Sequence, residues 1–333
     1  MVSMMNMKKL VSLVLALTMF LSLCAFASAE EEKTYTIGII QFADHPSLDN
    51  CREGFIAGME EAGFVEGVNV TYIYQNAQSS VSDCSLIAEN MLNTCDMICA
   101  IATPAAQAAY NACDGTGVPV IYTAVSDPIA ADLAGEDKLG VGNVTGTSDE
   151  LPVAAQLALI HAMLPEAKTV GILHTTSETN SDSTLATYRA LAAEYGLEIV
   201  DKGIADISEL YLALDALLSQ VDCTTNLTDN TVVSGLELVL EKSREAGKPV
   251  FGSEVEQVKN GCVAAAGIDY VLLGRQTGMM AARVLNGEEA QQIAFETFAD
   301  AFLYANEEAM AEFGITLPAE YAENTEFVTA DAE

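Results

Sequence analysis

Histidines and the abundant carboxylate, hydroxyl and amide side chains are the residues of this chain that could do chemistry. The only histidines are His45, His161 and His174, and no Gly-x-Ser-x-Gly turn supplies a serine nucleophile. Gly115-Thr116-Gly117 and Gly140-Val141-Gly142 lack the spacing of a dinucleotide-binding loop, and no phosphate-binding Gly-Lys-Ser/Thr loop occurs. The sequence therefore predicts that the protein is not an enzyme and holds no cofactor.

The polar side chains are concentrated just after the strand-like runs of the chain. The candidate ligand-binding residues are Gln41, Phe42, His45, Thr103, Pro104, Ser126, Asp127, Ser177, Glu178, Asn180, Asp229, Asn230, Ser253, Asp269 and Tyr270. In open parallel sheets, ligands bind beyond the carboxyl ends of the strands, where helix N-termini supply free N–H groups. Each such loop alone is more often a helix cap than a ligand contact, because Ser, Thr, Asp and Asn are the preferred capping residues. Together they predict one crevice that holds a small polar ligand.

Two kinds of group in this set suit a zwitterion. Thr103 precedes Pro104, a residue favoured in the first helical turn, so its hydroxyl and the helix N-terminus could bind a carboxylate. Four acids could pair an ammonium group, although capping or interlobe bonds would also explain them: Asp127, Glu178, Asp229 and Asp269. Phe42 and Tyr270 could pack an apolar ligand side chain or simply the core. No cysteine or histidine spacing indicates a metal site.

The elements that position these residues are strands alternating with helices. Strand-like runs occupy 35–40, 70–74, 97–102, 118–123, 140–144, 169–173, 197–200, 223–227, 249–251 and 262–265, and 270–285 and 307–313 have helical spacing. The run 223–227 is polar for a central strand, and 231–246 is predicted to be one helix. The pattern predicts an α/β fold of two doubly wound parallel-sheet lobes joined by short crossings. We expect residues 33–146 plus 270–295 to form lobe 1, and 147–269 plus 296–333 to form lobe 2.

Composition and charge exclude several classes of protein. The chain has 333 residues, is 50% hydrophobic and carries 14 basic against 48 acidic side chains, for a formal net charge of -34. A chain this apolar can bury a large core, which excludes a disordered protein. Because nucleic acids and anionic lipid surfaces bind through Lys and Arg, this charge argues against either as a partner. We expect a soluble monomer.

Residues 1–29 have the pattern of a secretory signal peptide. Lys8 and Lys9 precede an apolar run, and Ala27-Ser28-Ala29 forms a small-residue site before the acidic start at Glu30. We expect export and cleavage after Ala29, in preference to a retained membrane anchor. A lipid anchor on Cys24 is not expected, because leucine precedes that cysteine.

Seven cysteines remain after residue 29, an odd number: Cys51, Cys84, Cys95, Cys99, Cys113, Cys223 and Cys262. We interpret them mainly as small buried hydrophobic residues. Some pairing is possible in an exported protein, but at least one thiol should stay free unless it pairs between chains.

The chain resembles the substrate-binding proteins of ABC importers, in particular the tryptophan- or tyrosine-type family with the type I periplasmic-binding fold. The segments that carry the resemblance are His45-Pro46-Ser47-Leu48-Asp49, Thr103-Pro104-Ala105-Ala106-Gln107, Ser126-Asp127-Pro128, Gly142-Asn143-Val144-Thr145-Gly146, Ser177-Glu178-Thr179-Asn180-Ser181 and Asp229-Asn230-Thr231. The resemblance implies a two-lobed receptor, crossed three times by the chain, that closes on an α-amino acid, often aromatic, and presents it to a membrane permease. It places Thr103 near the ligand carboxylate, and other cleft positions at Ser126, Asp127, Glu178, Asp229 and Asn230.

Two alternatives remain open. An extracellular sensory domain would share this fold and also lack catalysis. An importer receptor for a sugar or nucleoside is possible too, although the absence of tryptophan removes the commonest stacking platform for a sugar ring.

Overall fold

The computed structural model describes residues 33–298 and 301–329, so the predicted signal segment and Cys24 lie outside the described residues. Within these ranges the strands are β1 (Tyr35–Gln41), β2 (Val70–Asn76), β3 (Met97–Ile101), β4 (Val120–Thr123), β5 (Val144–Ser148), β6 (Thr169–Thr175), β7 (Glu198–Ile204), β8 (Cys223–Thr225), β9 (Val250–Phe251), β10 (Ala264–Gly267), β11 (Glu296–Thr297), β12 (Phe302–Ala305) and β13 (Thr325–Phe327). The α-helices are α1 (Pro46–Glu61), α2 (Val81–Met91), α3 (Thr103–Cys113), α4 (Val153–Met163), α5 (Thr179–Leu191), α6 (Leu210–Leu218), α7 (Asn230–Ser234), α8 (Leu236–Ala246), α9 (Val255–Lys259), α10 (Tyr270–Leu285), α11 (Glu307–Phe313) and α12 (Ala319–Ala322).

The first sheet is parallel throughout, with strand order β2-β1-β3-β4-β5-β11. Its central strands β3 and β4 are buried at every position. Helices on both faces cover such a sheet, which is why these strands are continuous apolar runs without alternation. The predicted parallel α/β architecture is confirmed.

The second sheet begins as a parallel sheet with strand order β7-β6-β8-β9. Backbone bonds from Val263 to Val250 and from Gly252 to Ala264 join β9 to the segment that contains β10. On its other side, β10 pairs antiparallel with β12, and β12 pairs parallel with β13. The chain that returns after β11 therefore adds an antiparallel strand to the second sheet. The sequence pattern indicates a strand or an extended crossing at 294–303 and does not predict the antiparallel pairing.

The polar run at 223–227 does form a central strand. β8 lies between β6 and β9, and Thr225 is buried although it carries a hydroxyl group. Gln156 of α4 donates to Thr225 Oγ1 at 3.1 Å, and the following Asn226 donates to Gln257 Oε1 at 3.1 Å. Buried polar groups are tolerated when they are hydrogen-bonded, so polarity is a poor guide to strand position here.

Two predicted elements have different bounds. The predicted strand at 140–144 is instead a bend at 141–143, where the Val144 N–H donates to the Gly142 carbonyl at 2.8 Å, and β5 starts only at Val144. The predicted helix 231–246 is broken at Gly235 into α7 and α8. β11 pairs with the end of β5 in the first sheet. β5 therefore ends two residues past the expected lobe boundary at 146, and β11 ends two residues past the one at 295.

Helices α1 and α10 pack in parallel through four glycines. A Cβ on Gly54 or Gly58 would lie 2.1 or 2.2 Å from a carbonyl oxygen of α10. A Cβ on Gly274 or Gly278 would lie equally close, 2.1 or 2.2 Å, to a carbonyl oxygen of α1. Only glycine allows backbones to approach so closely. Both helices begin at the carboxyl edge of the first sheet, so their N-termini lie side by side.

All seven cysteines after residue 29 are buried and unpaired, which agrees with their interpretation as small hydrophobic residues. Among the described residues, no helix combines the length and apolar character needed to cross a membrane.

A methyl group at the α1–α10 contact should destabilise the fold. We expect Gly58→Ala to lower the free energy of unfolding by about 1–3 kcal/mol, because the overpacking cost exceeds the gain in helix propensity. As a control, Ala57→Val on the exposed side of α1 should change the free energy of unfolding by less than about 0.7 kcal/mol. Urea denaturation of both variants measures this, and equal midpoints would contradict the glycine packing.

Candidate functional site

The candidate site lies where loops at the carboxyl ends of the two sheets meet, and we call this space the cleft. Hydrogen bonds cross it from one side to the other. Ser126 Oγ lies 3.0 Å from Thr228 Oγ1, and Asn50 of α1 donates to Glu256 Oε1 of α9 at 3.1 Å. The two sides are therefore in direct contact in this structure.

Two neighbouring spaces of the cleft share part of their lining. The inner cavity, of about 10 Å³, has room for about one water molecule. Its lining is His45, Ser47, Leu48, Ala124, Asp149, Thr228, Asn230, Val233, Glu254, Gln257 and Tyr270. An outer groove of about 420 Å³ opens between α1 and helices α8 and α9. The two spaces share His45, Ser47, Val233, Glu254 and Gln257.

Asp149 is the residue of this cavity that the sequence analysis missed. It directly follows β5 and is 1% exposed. Its Oδ2 accepts a hydrogen bond of 2.6 Å from the Tyr270 hydroxyl, whereas Oδ1 has no hydrogen-bond partner among the described residues. Burial raises the pKa of this carboxyl, and the Tyr270 hydroxyl and the nearby Ser126 hydroxyl offset part of the rise. Because β5 was expected to end at 144, Asp149 was not recognised as a residue at a strand end.

Thr103 begins α3 as expected and is 1% exposed. Its Oγ1 also lacks a hydrogen-bond partner in the part of the chain that the structure describes. The preceding Ala102 has φ +83°, and Ala124, after the neighbouring β4, has φ +55°. Such conformations cost an alanine about 1–3 kcal/mol each, and they are often retained at functional sites. An alanine carries no sequence signal for this geometry.

Two of the four predicted ammonium partners are helix caps or turn residues. Asp269 accepts from the N–H groups of Val271 and Leu272 in the first turn of α10. Asp127 accepts from the Ala130 N–H at 2.9 Å, and its other oxygen accepts from Ser183 across the cleft at 2.5 Å. Both oxygens of Asp127 therefore have protein donors, whereas the two N–H bonds to Asp269 both go to its Oδ1.

Glu178 is buried and accepts five hydrogen bonds. The donors are the N–H groups and side chains of Asn230 and Thr231, together with the Asn180 amide. Burial and the nearby Asp229 raise the pKa of Glu178 to about 7. Its carboxylate fixes the start of α7 and is not free for an ammonium group.

Asp229 is fully buried and caps α7. It accepts from the Thr175 N–H and hydroxyl, from the Ser181 hydroxyl at 2.7 Å and from the Val232 N–H at 2.8 Å. Each oxygen has two donors. All four acids predicted to bind an ammonium group thus accept hydrogen bonds from the protein in this structure. Glu178, Asp229 and Asp269 act as helix caps. Asp127 accepts within a turn and also from the opposite side of the cleft.

Other predicted residues serve the walls of the cleft. Gln41 donates to Asp49 Oδ1 at 3.2 Å and accepts from Arg52 at 2.9 Å. Ser253 donates to the Leu227 carbonyl at 3.1 Å and accepts from Gln257 at 2.8 Å. These side chains are buried or half-buried supports for the loops.

The structure does not bring Phe42, Ser177 and Pro104 into the inner cavity. Phe42 is 3% exposed and belongs to the hydrophobic core. Ser177 is exposed and lies with Pro104 in a separate groove of about 340 Å³ beside α3. Tyr270, in contrast, lines the inner cavity as expected.

Two further titratable residues line the inner cavity. His45, the residue before α1, has its Nε2 atom 3.5 Å from Asn230 Oδ1, and burial lowers the pKa of its imidazole to about 4. Glu254 caps α9 through the Glu256 and Gln257 N–H groups, and burial raises its pKa to about 7. With a pKa of about 4, the His45 imidazole is neutral at neutral pH. Within the described residues, no cluster of His, Cys, Asp and Glu could hold a metal ion.

Comparisons with known proteins agree with this geometry. The chain is 34% identical over 342 residues to the tyrosine-binding protein of Clostridioides difficile strain R20291, covering 98% of each protein. A Streptococcus pneumoniae ABC domain in complex with L-Trp is similar in structure, with a TM-score of 0.86, 32% identity, and coverage of 89% of this chain and all of that one. The ligand-free, open structure of a Clostridium difficile substrate-binding protein with adhesive properties has a TM-score of 0.68, 36% identity, and coverage of 90% and 100%.

A family model described as "ABC transporter substrate binding protein" matches residues 36–327. Proteins of this family are extracytoplasmic binding components and not enzymes. The match covers nearly the whole described chain, and the two-sheet fold with a cleft between the sheets is the fold of the solved relatives. The chain therefore belongs to the family of ABC transporter substrate-binding proteins.

Proposed function

We propose that this protein binds an aromatic or large apolar L-amino acid in its cleft and delivers it to an ABC permease. The names of its relatives support this ligand class, since one is called tyrosine-binding and another was solved with L-Trp. The observation that carries the proposal is the pair of unpartnered buried oxygens, Asp149 Oδ1 and Thr103 Oγ1.

In the proposed complex Asp149 binds the ligand ammonium. A buried carboxylate with one free oxygen is unfavourable unless a cation or donor satisfies it. Tyr270 donates to the other oxygen and orients the group. This assignment replaces the four acids predicted from the sequence, because those already have protein donors.

Thr103 and the N-terminus of α3 would bind the ligand carboxylate. The first N–H groups of a helix have no partner within the helix and attract anions. β3 and β5 flank β4, so their ends lie about 10 Å apart. Asp149 and Thr103 thus follow strands that are next-but-one neighbours at the same edge of the sheet, which supports one α-amino acid binding to both.

This structure has the arrangement expected of a closed receptor. It is more similar to the L-Trp complex than to the open structure, although its identity to the open protein is slightly higher. The inner cavity is also too small for an amino acid. We infer that the two sides open as two lobes to admit the ligand. The lobes are those expected from the sequence, 33–146 plus 270–295 and 147–269 plus 296–333. The boundaries at 146 and 295 move to the edge of the first sheet, near 148 and 297.

We further propose that the chain is exported by a signal peptide that ends at Ala29 and works as a monomer. The charge of -34 supports a protein that stays soluble and avoids nucleic acid.

The first prediction concerns the two ends of the ligand. Asp149→Asn should weaken L-tyrosine or L-tryptophan binding by about tenfold to a hundredfold, because a charge-assisted hydrogen bond is lost. Thr103→Val should weaken it about threefold to tenfold. Isothermal titration calorimetry measures both, with the exposed Asp114→Asn as a matched charge control. Parental affinity in both cleft variants, or binding of a nucleoside and no amino acid, would contradict the proposal.

The second prediction concerns pH. Because burial raises the pKa of Asp149, the free protein takes up a proton there at a higher pH than an ordinary aspartate. The protonated form cannot pair an ammonium, so affinity should fall as pH decreases through that pKa. Calorimetry between pH 8 and pH 5 checks this. Asp149→Asn should reduce the pH dependence, and the remainder should come from Glu254 and Glu178, whose pKa values burial raises to about 7. An unchanged pH dependence in that variant would point to another group.

A further inference from the structure

The side chain of Asn230 has one possible orientation. Its Nδ2 donates to Glu178 Oε2 at 2.7 Å, and its N–H donates to the same oxygen at 3.0 Å. Both oxygens of Glu178 accept from backbone N–H groups, Oε2 from Asn230 and Oε1 from Thr231. Because this carboxyl group acts as the acceptor, the amide nitrogen of Asn230 faces it. The amide oxygen then faces His45, which lies on the opposite side of the cleft, with 3.5 Å between Oδ1 and Nε2.

This orientation determines where His45 carries its proton. A neutral imidazole has one N–H donor and one acceptor nitrogen. Asn230 Oδ1 cannot donate, so Nε2 must carry the proton and Nδ1 must be the acceptor. Nδ1 is buried, and no described residue donates to it.

The inner cavity is therefore lined by two residues that each carry an unsatisfied acceptor. The other is Asp149 Oδ1, and neither atom has a donor within 33–298 or 301–329. A ligand group that only accepts, such as a carboxylate, would be repelled by both. A group with several N–H donors would satisfy both at once.

We infer that His45 is a specificity-determining residue whose Nδ1 accepts a hydrogen bond from the ligand ammonium, and that Asn230 and Glu178 hold the His45 proton on Nε2. The inference rests on the proposed function and extends it. Since the Asn230–His45 contact crosses the cleft, it exists only when the two sides are together. Closure of the cleft thus makes His45 Nδ1 the acceptor for the ligand ammonium. When the cleft opens, the proton can be on either ring nitrogen of His45.

Nitrogen-15 NMR of the histidine rings tests the tautomer. Only three histidines occur, and His45→Gln identifies the His45 signals by their loss. With saturating L-tyrosine, we expect a neutral His45 ring protonated on Nε2. In Asn230→Ala the tautomer preference should be lost, whereas Ser234→Ala should retain it, because Ser234 bonds only the Asn230 carbonyl oxygen. A His45 ring protonated on Nδ1, or on both nitrogens, in the complex would overturn the inference.

Calorimetry with L-tyrosine tests the contact itself. His45→Leu removes both ring nitrogens, so it removes the acceptor, and we expect about a tenfold loss of affinity, whereas Ser234→Ala should bind within about twofold of the parent. Parental affinity in folded His45→Leu would overturn the ligand contact. If no amino acid binds the parent at all, the proposed function fails. The ligand contact inferred for His45 then fails with it, whereas parental affinity in the variant, with binding by the parent intact, overturns the ligand contact alone.

Discussion

The approach of two helix backbones through Gly54, Gly58, Gly274 and Gly278 is the constraint on which the site depends. It fixes α1 and α10 side by side and in parallel, so that both begin at the same edge of the first sheet. His45 precedes one helix, and Tyr270 begins the other. A larger residue at any of the four positions would separate the helices and move these two side chains apart.

The chemistry of the cleft follows from how buried carboxylates are satisfied. Glu178, Asp229 and Glu254 are inside the protein because backbone N–H groups and hydroxyls surround them. Asp149 differs in having donors for only one of its oxygens. A low-dielectric site makes the missing interaction costly, and an ammonium group is the species that would remove that cost. The acids that build the loops and the acid that remains free thus have separate roles.

Much of the fold could be predicted from the sequence, because periodicity and capping residues mark the elements clearly. The helices at 270–285 and 307–313 were predicted with their observed bounds, and Asp269 and Asn306 cap them. β8 was harder, since its hydroxyl side chains are satisfied by residues distant in sequence, such as Gln156. The ligand-binding residues were harder still to predict. Helix capping and ligand binding use the same side chains at the same strand ends, so only the contacts distinguish Asp149 from Asp229. The backbone conformation of Ala102 has no sequence signal.

The most direct test of this account is a crystal structure of the protein with L-tyrosine or L-tryptophan. We expect a ligand between the two sheets, with its ammonium about 3 Å from both Asp149 Oδ1 and His45 Nδ1 and its carboxylate at Thr103 and the start of α3. A ligand whose ammonium instead contacts Asp127, Glu178, Asp229 or Asp269, with Asp149 Oδ1 remote from it, would contradict the account.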